Sequence, residues 1–295
     1  MKTNTSWLIA LAAVAVLASA QTTLAITYGQ PDGNLHPSVG AWMVKWPDGT
    51  RTNFASGTLI HKFTNPDGTA TGIFLTAGHV TADVQAAIDE GSAVWDDITI
   101  NFNPEPWPLA KLDIRVVDVF AFLVPRNDLG ASDDVGVAIL EADSVEDLPL
   151  PAALAPVGFL DQFKQSDLHD SLLVAVGYGA SVSPPPPRII FGNTRNFSTP
   201  KYVNFTDQVI TLQANGRAGN SGIGVGDSGG PLFWKDPQTG RETVIGMNYG
   251  INGGYGLSFD LDKWNIGSID YSYRVDTQFV QDFIQDSVQA FIDGL

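Results

Sequence analysis

Gly226-Asp227-Ser228-Gly229-Gly230-Pro231, read GDSGGP, is the stretch around which the rest of the chain makes sense. A serine between glycines permits a sharp backbone bend and lets a carbonyl approach main-chain N–H groups while the hydroxyl stays uncovered. A nucleophile needs those conditions. A serine hydroxyl is weak alone, however, and requires a base within hydrogen-bond reach that is itself oriented by a third group. Where histidine and aspartate stand relative to Ser228 therefore decides what the hexapeptide is for.

All four histidines, His36, His61, His79 and His169, precede Ser228. The hexapeptide also satisfies the G-x-S-x-G pattern of α/β-hydrolases, but in those the histidine follows the serine, and here none does. His79 lies in Leu75-Thr76-Ala77-Gly78-His79-Val80, an apolar run ending in small residues, which suits a strand delivering an imidazole to a cleft. Asp133 and Asp134 stand at the mouth of the apolar strand Val135-Gly136-Val137-Ala138-Ile139-Leu140. Asp134, which abuts that strand, is the preferred third group and Asp133 the alternative. His36, His61 and His169 have no motif around them and read as ordinary loop or surface residues.

The order His, Asp, Ser and its surroundings resemble the trypsin/chymotrypsin-like serine proteases of the secreted microbial kind. LTAGHV is similar to that family's LTAAHC, Asp134 to Leu140 to its D-x-A-L-L strand, and Val176-Gly177-Tyr178-Gly179 to its G-W-G strand. Ser56-Gly57-Thr58-Leu59-Ile60 and Tyr273-Arg274-Val275-Asp276-Thr277 also have counterparts, so the agreement runs in order from about Ile26 to the C-terminus. The resemblance implies that Ser228 attacks a peptide carbonyl to form an acyl-enzyme, that His79 moves its proton, and that Asp134 holds the imidazole tautomer. The N–H groups of Gly226 and Ser228 would form the oxyanion hole. The specificity pocket would have Gly222 at its floor with Ile223 beside it, and Asn248-Tyr249-Gly250 as its wall strand. With no carboxylate at Gly222, apolar or aromatic residues are expected on the acyl side of the scissile bond, and a Lys or Arg preference would mean that Asp260, Asp262 or Asp270 of the following insertion reaches the pocket. In the family a new N-terminal isoleucine places its ammonium beside the aspartate before the nucleophile; here Ile26 and Asp227 occupy those positions. An esterase using the same triad and an inert binding protein of the same fold are the alternative readings.

Composition sets the outer bounds. With 295 residues and 44% hydrophobic content the chain can bury a full core. Met1 to Ala25 carries one cation, Lys2, then the apolar run Trp7 to Ala18 and the A-x-A pattern Ala18-Ser19-Ala20. Such a run is too short to span a bilayer and reads as a signal peptide, with an N-terminal anchor as the alternative. Signal cleavage is expected after Ala25, or after Ala20 with a short Gln21 to Ala25 propeptide. The product is expected to be secreted, monomeric and free of the membrane. The net charge is −16, and removal of Lys2 leaves 15 cations against 32 acids, or −17. That charge opposes binding to nucleic acid or anionic membranes and leaves proteins and peptides as partners. Cysteine is absent: Val80 and Gly224 stand where the family usually has it. No cofactor is expected and zinc is poorly supported. Asp89, Glu90, Asp96 and Asp97 could hold Ca²⁺, but they lack EF-hand spacing and read as a solvated face.

The patterning predicts an all-β protein of two six-stranded antiparallel barrels with a C-terminal helix. Strands are expected at 40–46, 51–60, 72–77, 98–102, 114–122 and 135–140, with Pro47-Asp48-Gly49 and Pro66-Asp67-Gly68 as turns. Residues 26–140 would make the first barrel and 141–170 a crossover. The second barrel, 171–275, would use strands at 172–177, 189–191, 209–212, 231–234, 243–249 and 271–275. The prolines Pro184 to Pro187 must lie in a surface loop. An insertion covers Ile251 to Asp270. From 276 to 293 the period becomes helical, through Phe279, Val280, Phe283, Ile284, Val288, Phe291 and Ile292, with Asp276 or Thr277 as N-cap.

Overall fold

The computed structural model describes residues 26, 29–46, 49–106, 113–124, 133–182, 189–191, 194–214, 220–251 and 269–294. The expected signal segment, the Pro184 to Pro187 loop and most of the insertion after Ile251 lie outside the described residues.

After the two-residue strand β1 (Gln30–Pro31), the N-terminal half is built from β2 (Val39–Lys45), β3 (Arg51–Thr64), β4 (Ala70–Thr76), helix α1 (Gly78–Asp89), β5 (Ile98–Asn101), β6 (Asp113–Val124) and β7 (Asp133–Ala142). The six strands β2 to β7 close into an antiparallel barrel in the order β2-β3-β4-β7-β6-β5, with β5 pairing back onto β2. All six were predicted. Trp42, Leu59, Phe74, Ile100, Ala138 and Leu140 are fully buried in its core. Strands β4 and β7 are apolar on both faces, and the helix α2 (Gln278–Gly294) explains why. Ile73, Val137 and Ile139 alternate with the core-facing residues and pack outward against Phe283, Ile284, Val288 and Phe291 of α2. Phe122 of β6 adds an edge-on contact to Phe279, ring centroids 4.6 Å apart. Thr277 caps this helix, accepting the Val280 N–H at 3.3 Å, whereas Asp276 accepts the Leu160 N–H at 2.7 Å and binds Arg274.

The C-terminal half comprises β8 (Leu172–Gly177), β9 (Ala180–Val182), β10 (Ile189–Phe191), β11 (Asn196–Ser198), β12 (Lys201–Phe205), β13 (Val209–Gln213), β14 (Pro231–Lys235), β15 (Glu242–Ile251) and β16 (Ile269–Arg274). It departs from the expectation of a second closed six-stranded barrel. Among the described residues it is an eight-stranded antiparallel half-barrel sheet, ordered β1-β11-β8-β14-β15-β16-β13-β12, with β9 and β10 as a separate hairpin. The reason is local. Strands β11 and β12 pair at opposite sides of the sheet yet are consecutive in the chain, joined by Thr199 and Pro200. Pro200 has no N–H to donate, and the Thr199 N–H turns to Ser221 Oγ at 2.9 Å, so the ladder stops where closure would occur. The whole is mostly β, an architecture compatible with the chymotrypsin-like fold.

Two elements differ from expectation in ways that matter for the site. Helix α1 begins directly after β4, so His79 sits in a first helical turn rather than at the end of a strand. His36, expected at the surface, is buried and stacks on Phe233 at 5.2 Å between centroids. Its Nδ1 binds Asp32 and its Nε2 lies 3.0 Å from Glu242. Asp32 in turn accepts Arg195 Nε at 2.7 Å, and the buried guanidinium also donates to the carbonyls of Val39 and Phe102, each at 2.9 Å. This network fastens the N-terminal segment to both halves, because one planar cation with five donors satisfies acceptors from each.

Candidate active site

Ser228 lies on the loop between Ile223 and β14, and its backbone conformation depends on its glycine neighbours. Gly226 and Gly229 have φ of 92° and 86°, a region that side-chain-bearing residues avoid. The loop is pinned on three sides. The Ser228 carbonyl accepts the Ser56 N–H at 2.9 Å, the Gly229 N–H reaches Asn248 O at 2.7 Å, and the Gly230 N–H reaches Asp227 O at 2.9 Å. Ser56, fully buried, also donates its hydroxyl to Gly226 O and accepts the Tyr178 N–H, both at 2.9 Å. In the sequence Ser56 reads only as part of a strand, because its role as a brace depends on residues more than a hundred positions away. Among the described residues, no backbone carbonyl accepts the Gly226 or Ser228 N–H.

His79 and Asp134 are brought together. The imidazole Nδ1 is 2.7 Å from Asp134 Oδ2, and the His79 backbone N–H donates to Oδ1 of the same carboxylate at 2.8 Å. Asp134 is 1% exposed and its partner imidazole 30%. The neighbouring carboxylate Asp133 does not reach the imidazole by any described hydrogen bond and accepts Gln208 Nε2 at 2.7 Å and Tyr273 OH at 2.8 Å. Burial works against the charged imidazole. The hydrogen bond and charge of Asp134, with the charge of Asp83, outweigh it and raise the His79 pKa above its ordinary value.

His79 and Ser228 line one cleft of about 300 Å3, together with Phe54, Asp83 and Gly226 and with Ile223 and Tyr249 to Ile251 of the C-terminal half. Of the expected pocket residues, Ile223, Tyr249 and Gly250 line the cleft, while Gly222 and Asn248 stand behind it. Asn248 is fully buried and accepts the Ser272 hydroxyl at 2.8 Å. A side chain at Gly222 would collide with Ala214 and with the carboxylate of Asp270. Asp270, one of the insertion's acids, lies directly against Gly222. It is fully buried, accepts the Ile223 N–H at 2.9 Å and does not line the cleft.

Asp227 is fully buried and accepts the N–H groups of Gly179 and Gly224, each at 2.7 Å. Burial dominates and pushes its pKa up to about 7, against the pull of those two amides; among the described residues no cation offsets its charge. Ile26 is fully buried at a φ of 67°, its carbonyl accepting the Gly29 N–H at 3.1 Å. Among the described residues no hydrogen bond or ion pair joins it to Asp227. The acidic residues at 89, 90, 96 and 97 form no metal-binding group: among the described residues no three carboxylate or imidazole side chains gather in one. No described helix is long and apolar enough to cross a membrane.

Comparison with known proteins supplies no family. No protein-family model matches the chain, and no curated protein matches it.

Proposed function

We propose that the protein is a secreted serine endopeptidase of the trypsin/chymotrypsin type, working through His79, Asp134 and Ser228. The observation that carries the reading is the doubly bonded Asp134–His79 pair opening onto the same cleft as a serine flanked by two left-handed glycines. Ser228 Oγ attacks the substrate carbonyl and passes its proton to His79 Nε2, which hands it to the departing amine. Asp134 keeps the Nδ1 proton in place and stabilises the imidazolium. The tetrahedral oxyanion is met by the Gly226 and Ser228 N–H groups. Water then repeats the sequence on the acyl-enzyme and releases the acid. The side chain on the acyl side enters between Ile223 and Tyr249 to Ile251, an apolar end of the cleft, so aliphatic or aromatic residues are favoured there.

The chain also carries the parts of an N-terminal switch. Asp227 is a buried carboxyl held protonated-leaning by desolvation, and a cation delivered beside it would ionise it and order the adjacent oxyanion loop. Cleavage between Ala25 and Ile26 would create that cation. It would also remove the preceding carbonyl that makes the Ile26 backbone conformation costly for a β-branched residue. The test of the function compares a peptide amide with a short-chain ester as substrates for the form beginning at Ile26. Amide hydrolysis lost in Ser228→Ala is the expected result; ester hydrolysis alone means an esterase, and neither activity in a folded protein means a binding protein.

A further inference from the structure

Next to the cleft lies a second hollow of about 200 Å3, which shares Phe54 and Asp83 with it. Its walls are Trp46 and Phe54 from the first hairpin, Val84 and Ala87 from α1, and Ile98 from β5. Trp46 and Phe54 are 45% and 37% exposed, two large aromatic side chains left open at one place. Both are braced. The Trp46 indole N–H already donates to Thr52 Oγ1 at 2.9 Å, so the indole offers the hollow only an apolar surface, and Phe54 packs on Trp42 at 5.9 Å between centroids. An apolar hollow that shares two walls with the cleft of His79 and Ser228 is suited to a substrate side chain.

Which part of a substrate it takes follows from proton transfer. His79 must give its proton to the departing amine, so the departing portion lies against the helix that carries His79. The hollow is made from the next turns of that same helix, through Asp83, Val84 and Ala87, whereas the acyl end is made by Ile223 and Tyr249 to Ile251 from the other half of the chain. We propose that the hollow is a leaving-side subsite for an aliphatic or aromatic side chain carried by the departing peptide just after the scissile bond. Asp83, exposed where the two spaces meet, disfavours an acidic residue at that junction. The inference rests on the hydrolase reading above.

Acyl-enzyme partitioning tests it without depending on how fast acylation is. An activated apolar ester loads Ser228, and glycinamide, leucinamide, phenylalaninamide or glutamic acid α-amide then competes with water. The amine nitrogen attacks the acyl carbonyl and gives a proton to His79, and Ser228 Oγ leaves with that proton, so an amide forms as the ester breaks. Leucinamide and phenylalaninamide are expected to trap the acyl group roughly tenfold better than glycinamide, and the glutamic acid amide worse. Trp46→Ala should bring the apolar-to-glycinamide ratio down severalfold. Equal trapping by all amines, or a preference unchanged in Trp46→Ala, overturns the subsite and leaves the hydrolase standing. Failure of the form beginning at Ile26 to acylate overturns the hydrolase and the subsite with it.

Discussion

Replacing Asp134 by asparagine, with Asp133→Asn as its partner experiment, separates the two carboxylates that sequence alone left adjacent. Asp134 uses both oxygens as acceptors, one for the His79 backbone N–H at 2.8 Å and one for Nδ1 at 2.7 Å. The asparagine has one acceptor and an NH2 group, so one of the two donors loses its partner. If the NH2 faces Nδ1, the ring must carry its proton on Nε2, where it can no longer accept the Ser228 proton. In a triad this tautomer error costs about 10⁴ in kcat, equivalent to about 5.5 kcal/mol of barrier. Asp133→Asn keeps an oxygen for Gln208 and Tyr273, and its effect should appear in stability, on the order of 1–3 kcal/mol at most, with kcat little changed. The assay is amide turnover beside a denaturant unfolding curve for each variant. Near-normal turnover in Asp134→Asn, or an equal collapse in Asp133→Asn, refutes the assigned roles.

The raised His79 pKa places the acidic limb of kcat/KM above the free-imidazole value of about 6.5. Activity needs the neutral ring and so rises with pH through that limb; Asp83→Asn should move the limb to lower pH, an effect that fades with added salt. In the uncleaved chain Asp227 binds its proton more tightly folded than unfolded, with pKa values of about 7 against 3.8. The folded state therefore takes up the proton first, and this contribution to stability is full below about 3.8 and is lost as pH rises towards 7. Urea midpoints across that window should fall in the uncleaved chain and flatten in Asp227→Asn; an unchanged slope counts against a buried, unpaired carboxyl. Arg195→Leu strands Asp32 and the Val39 and Phe102 carbonyls and is expected to destabilise by about 3–5 kcal/mol. A midpoint within experimental error of the parent would show that the network is not a clamp.

Much of the first barrel was legible because its strands are short apolar runs set off by turn signals, Pro-Asp-Gly in two of the connections. The residues proposed as the triad stand out in the sequence because each sits in a short run of distinctive composition, and the structure joins two of them, His79 and Asp134, by hydrogen bonds. Helix α1 was not, although Val80, Val84, Ala87 and Ile88 have helical spacing, because the apolar run from Leu75 to Val80 crosses the strand–helix junction and reads as one strand. Strands β11 and β12 escaped notice because they are only three and five residues long and Pro200 interrupts the run between them. Ser56 beneath Gly226 and the Asp32–His36–Arg195 cluster left no trace in local pattern. Each is a contact between segments far apart in the chain, and only the sheet register and the half-to-half packing bring them together.

The central claim is that Ser228 is an activated nucleophile, and covalent labelling measures that property itself. The form beginning at Ile26 is treated with a fluorophosphonate and its peptides are mapped by mass spectrometry. The account predicts one adduct per chain, on Ser228, with labelling at least a hundredfold slower in His79→Ala, since loss of a positioned base removes about 10²–10⁴ in rate. A folded protein that stays unlabelled, or that labels elsewhere, or whose Ser228 reacts equally fast without His79, would contradict it.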